Sequence, residues 1–118
     1  MSESSEVKVI WETTDYSGRP VVLTTERLAH IEQARISEGV DWPMAIRSVI
    51  ETPDMVIGSE QYADTEVHCK IDAADTFPGL WLHVPVLYQL GVGDVRTAIP
   101  TRKPKKGTLL FMRPGIFE

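Results

Sequence analysis

The chain has 118 residues, of which 42% are hydrophobic and 25% charged, enough for one soluble domain with its own core. A formal net charge of −5 argues against a uniformly basic nucleic-acid binder, and the single cysteine, Cys69, excludes an internal disulfide framework. The opening MSESSEVKV carries no apolar leader-like run. GLWLHVPVLYQLG is broken by His83, Pro85 and Gln89 and is too short for a bilayer, so a cytoplasmic protein without membrane contact is expected.

Residues 1–6 are polar and are expected to be disordered, with one domain over 7–118. A short strand is expected at 7–11, and the Tyr16-Ser17-Gly18-Arg19-Pro20 stretch turns the chain into 21–23. Thr24 then serves as the N-cap of a helix whose buried stripe is Leu28 and Ile31, ended by Gly39. His30 and Arg27 share one flank of that helix. Arg35 falls beside the stripe, where a guanidinium must snorkel, pair or line a cleft. Asp41 caps a second helix, with Pro43 in its first turn, Ala45, Ile46, Val49 and Ile50 facing the core, and Thr52-Pro53 at its end.

Everything beyond Pro53 reads as strands, at 54–58, 66–72, 79–90, 95–99 and 108–112. Pro85 suggests an edge or a bulge within its strand. The expected fold is α+β, with two N-terminal helices packed on one face of a four- to five-stranded antiparallel sheet. If Val67, Cys69 and Ile71 pack on the helices, His68 and Lys70 look outward, and Arg96 joins them.

Charge is unevenly spread. Residues 92–118 hold Arg96, Arg102, Lys103, Lys105, Lys106 and Arg113 against only Asp94 and Glu118. The TRKPKKG loop is either a solvated turn or a contact for phosphates. Metal chemistry is not expected: there is no C-x-x-C or H-E-x-x-H, and the adjacent His68 and Cys69 point to opposite faces of a strand. An open sheet face with histidine, lysine and arginine would suit metal-independent RNA cleavage. One group takes the 2′-hydroxyl proton, a second protonates the leaving oxygen, and a cation steadies the phosphorane. The competing reading of the same alternation is a simply solvated face.

Taken in order, LTTERLAHI, AIRSVIETPDMVIGS, VRTAIP and GTLLF resemble the phage-associated nuclease families of the barnase–EndoU–colicin–RelE-like superfamily, over roughly residues 20–112. The resemblance implies N-terminal helices on a four-stranded antiparallel sheet, a helix histidine at His30 and a strand Thr-Ala pair at Thr97-Ala98. The family's second helix histidine is replaced by Arg35, which holds phosphate but is no general base near neutral pH. His68 or His83 would then have to complete the acid–base pair. The expected function is a toxin-like or phage-effector-like endoribonuclease without cofactor, with His30, Arg35, His68 and Thr97 as catalytic residues. Arg27, Lys70, Arg96, Arg102, Lys103, Lys105 and Lys106 are the expected RNA contacts, and RNA and a neutralising antitoxin or immunity protein the expected partners. The alternative is a catalytically inactive binding domain of the same fold, engaging a protein or nucleic acid.

Overall fold

The computed structural model describes residues 8–34, 39–73, 79–103 and 105–115. Its elements in chain order are β1 (Val9–Thr14), β2 (Pro20–Thr24), α1 (Thr25–Ala34), α2 (Trp42–Glu51), β3 (Met55–Gly58), β4 (Thr65–Ile71), β5 (Trp81–Gln89), β6 (Val92–Val95), β7 (Ile99–Thr101) and β8 (Thr108–Met112). The class is α+β with two helices, but the expected arrangement is overturned. Two strands precede the helices, and a mixed sheet of eight strands stands in place of a smaller antiparallel one. The strand order is β1-β2-β6-β5-β4-β3-β8, with β7 pairing β5 beyond the end of β6.

The difference arises at one junction. β2 lies parallel to β6, with Val21 opposite Gly93 and Val22 opposite Asp94. The strands come from opposite sides of both helices, and no local pattern announces such a pairing. Gly93 permits it: a Cβ there would sit 2.7 Å from Val86 Cγ1 and 2.8 Å from Tyr88 Cε1.

Both helices begin where the side chains dictate. Thr24 Oγ1 accepts the Arg27 backbone N–H at 3.3 Å, and Asp41 Oδ1 accepts that of Met44 at 3.2 Å. The apolar stripe of α2 packs on the sheet, where Ile46, Val49 and Ile50 join Leu23, Leu82 and Val84 in the main core. At the β5–β6 hairpin, Gln89 pairs with Val92, leaving Leu90 and Gly91 at φ 54° and 80°. A two-residue turn of this hand wants asparagine or glycine, so the exposed Leu90 is strained. Leu90→Asn is therefore expected to stabilise the fold by about 0.5–1 kcal/mol. A thermal melt checks this, and an unchanged or lower midpoint would contradict it.

Register decides which way the chemistry faces. His68 lies opposite Val84 and Lys70 opposite Leu82, while Val67 lies opposite Pro85 and Cys69 opposite His83. Leu82, Val84 and Val86 are beneath the helices, so His68 and Lys70 point to the helix side. Met55, Ile57, Val67, Cys69 and Trp81 form a second, smaller core on the other face. β4 is thus buried on both sides, and the expected open face of His68 and Lys70 does not exist. Among the described residues, no helix is long and apolar enough to cross a membrane.

Candidate functional site: a groove beside Pro85

Pro85 shapes the second face of the sheet. β6 ends at Val95, opposite Val86, and β7 starts at Ile99, opposite His83. The interruption at residues 96–98 falls opposite Pro85. Its carbonyl accepts the Arg96 N–H at 2.9 Å, so its donor-less nitrogen faces the same side and the ladder cannot run on. Pro85 therefore lies in a central strand, and it breaks the neighbouring strand instead of marking an edge. The expected single strand at 95–99 is divided for the same reason.

The break opens a groove of about 720 Å³. Val67, Pro85 and Leu87 line it with the exposed ring of Tyr62, together with Ile99, Arg96, Thr97 and Lys105. Among the described residues, none that lines it is a carboxylate. Arg96 Nη1 donates to Asp94 Oδ2 at 2.9 Å, a half-exposed pair that aims the guanidinium. Thr97 Oγ1 and Asp94 Oδ1 are buried and have no hydrogen-bond partner among the described residues. Lys105 and Lys106 also border a smaller depression with Ser59, Glu60 and Gln61.

The lysine-rich loop is anchored to the sheet beneath it. The backbone of Lys103 lies against the ring of His83 and that of Lys105 against the Cys69 thiol, which donates to the Val67 carbonyl at 3.7 Å. Burial pushes Cys69 up to about 12, against the pull of Lys105, so it is a packed thiol and no nucleophile. Burial lowers His83 to about 4, with the Lys105 charge adding to the effect and the Lys103 backbone opposing it. Its Nε2 has no partner among the described residues.

Of the expected site residues, Arg96, Thr97 and Lys105 meet in the groove. Arg102, Lys103 and Lys106 are exposed on the adjoining loop. The expected union of Arg96 with His68 and Lys70 fails, because Asp94 opposite Leu87 sets Arg96 on the groove side. Lys70 Nζ donates to Ser48 Oγ at 3.0 Å and Thr52 Oγ1 at 2.6 Å, tying β4 to α2. His30 is exposed and Arg27 half-buried on α1, which packs on the helix side of the sheet, opposite the groove. Arg35 and residues 1–6 lie outside the described residues. Among the described residues, no cluster of side chains could hold a metal ion.

His68 is fully buried within a chain of polar contacts that composition did not reveal. Tyr88 Oη donates to Asp15 Oδ2 at 2.6 Å, so its oxygen must accept from His68 Nε2, 3.0 Å away. Burial lowers His68 to about 4, so the ring is neutral, protonated on Nε2 and bare on Nδ1. Burial alone would raise the Asp15 carboxyl, but bonds from Tyr88, Ser17 and the Arg19 and Ser17 backbones outweigh it and hold it low. Arg19 Nε donates to Asp15 at 3.1 Å, and its terminal nitrogens fork onto Glu66 at 3.0 and 2.7 Å. The guanidinium stacks 3.8 Å from the Tyr88 ring centre. This network pins the β1–β2 turn over β4. It binds elements together, and none of its members lines the groove.

Tyr62, Leu87 and Gln61 were not anticipated in the groove. The one local signal was Pro85 inside an apolar strand. No protein-family model matches the chain, and no curated protein and no solved structure matches it significantly.

Proposed function

We propose that the chain is a binding module for single-stranded RNA that holds its ligand in the groove beside Pro85 without cutting it. The observation that carries this reading is the convergence of Arg96, Thr97 and Lys105 on an apolar floor with no lining carboxylate among the described residues. Arg96 and Lys105 suit phosphates, and the Tyr62 ring offers a stacking platform for a base. The volume suits a ligand of nucleotide size. The overall negative charge confines attraction to this end of the molecule and so orients the strand.

Cleavage by 2′-hydroxyl attack needs an acid and a base at one phosphate. His68 and His83 are both buried, and His30 stands on α1, on the other side of the sheet from the groove. On the resemblance to the barnase–EndoU–colicin–RelE-like nucleases, the chain would be a member that retains RNA contact and lacks the paired acid and base.

The test is binding of a short fluorescent oligouridine across a salt series. Arg96→Ala with Lys105→Ala should flatten the log–log salt slope by about 1.4, since each single-strand phosphate contact contributes roughly 0.7. Tyr62→Ala should weaken binding by about 1–3 kcal/mol with little change in slope. His30→Ala should leave both unchanged. Unaltered affinity and slope in the double variant would reject the groove as the site. Cyclic-phosphate products formed in EDTA would restore the nuclease reading.

A further inference from the structure

We infer that the outer edge of β8 is a docking strand for an extended apolar segment of a partner protein flanked by carboxylates. β8 ends the sheet: its pairing runs to β3 alone among the described residues. Its sequence, TLLFM, contains no charge and no proline, and Leu109, Leu110 and Met112 are 51%, 46% and 45% exposed. Edge strands left in water are ordinarily guarded by lysine, proline or a bulge, because their unpaired backbone groups template another strand. Here the guard is a single bulge. Val56 pairs with Phe111 and Ile57 with Leu109, leaving Leu110 as the extra residue. An added strand would satisfy the edge backbone and cover these three side chains.

Charge selects the occupant. Lys105 and Lys106 lead into the strand and Arg113 follows it. Arg113 Nε already bonds the buried Asp54 carboxylate at 2.6 Å, while Lys105 and Lys106 stand exposed with Glu60 as the carboxylate beside them. Antiparallel pairing of two β8 strands about Leu110 would bring Lys106 and Gly107 of each copy against Arg113 and Pro114 of the other. That like-charge contact disfavours a second copy and favours an acidic-flanked strand. Lys105 also lines the groove, but Lys106, Leu109, Leu110 and Met112 do not, so the strand edge stands whether or not RNA binds.

A labelled peptide alternating valine and threonine between two pairs of glutamates tests this by fluorescence anisotropy, beside the same peptide with lysines for glutamates. The glutamate peptide should bind at least roughly tenfold more tightly, with an advantage that shrinks in salt. Leu109→Lys should abolish binding while the thermal midpoint stays near that of the parent, since Leu109 is already half in water. Amide shifts on binding should cluster at 105–113. Equal binding of both peptides, shifts clustered elsewhere, undiminished binding by a folded Leu109→Lys variant, or a dimer in sedimentation would each overturn the assignment.

Discussion

Asp15→Ala is expected to destabilise the fold by about 3–5 kcal/mol, the largest loss anticipated for any single side chain here. The carboxylate is fully buried and accepts from the Ser17 and Arg19 backbones at 2.8 and 2.9 Å, from Ser17 Oγ, from Arg19 Nε and from Tyr88 Oη. Removing it strands the Tyr88 hydroxyl in the core and takes from Arg19 one of two anions. Asp15→Asn should lose roughly half as much, because its carbonyl oxygen still receives the backbone donors. Its amide would then face Tyr88 and Arg19, both donors toward Asp15 in the parent. Denaturant melts of the two variants check the order. An alanine variant within 1 kcal/mol of the parent would mean that the turn is held by other contacts.

Acid should weaken the fold well before carboxylates titrate. His68 and His83 both lie at about 4 in the folded chain against 6.5 when unperturbed, chiefly because burial disfavours their charged forms. The unfolded chain therefore binds more protons between those values. Stability is full above about pH 6.5 and falls as pH drops toward 4. At pH 5 the loss is about 2 kcal/mol for each histidine. The Asp15 carboxyl, depressed in the fold, acts in a lower window: its contribution is present above its ordinary value of 3.8 and is lost as pH falls through its folded value. Thermal midpoints at pH 7 and pH 5 should differ clearly, and His83→Asn should shrink that difference by close to half. Equal midpoints would show that both rings accept protons in place.

Local signals were legible and long-range ones were not. Thr24 and Asp41 cap their helices as expected because capping needs only neighbouring backbone. The strand at 66–72 alternates cleanly, but alternation cannot say which parity meets the helices. β5 is largely apolar on both, with Leu82, Val84 and Val86 on one side and Trp81, His83, Pro85 and Leu87 on the other. Its Leu82–Val86 side went to the helices, and His68 and Lys70 followed through the register. The Asp15–Tyr88 bond links residues 73 positions apart, and the Arg19–Glu66 fork spans 47, so neither leaves a local trace. Arg96 and Lys105 could be named as RNA contacts from their residue types and the charge of their segment, whereas Thr97 enters as a catalytic hydroxyl through the resemblance alone. Their common groove depends on a ladder broken at Pro85, which only the pairing of three strands reveals.

The most direct measurement is an amide-resolved NMR titration of the protein with a short oligouridine in EDTA. Shifts are expected at Tyr62, Leu87, Arg96, Thr97 and Lys105, with His30 and Arg27 unmoved and the RNA intact at the end. Shifts gathered on α1 around Arg27 and His30, or RNA shortened to cyclic-phosphate fragments, would contradict a non-cutting groove beside Pro85.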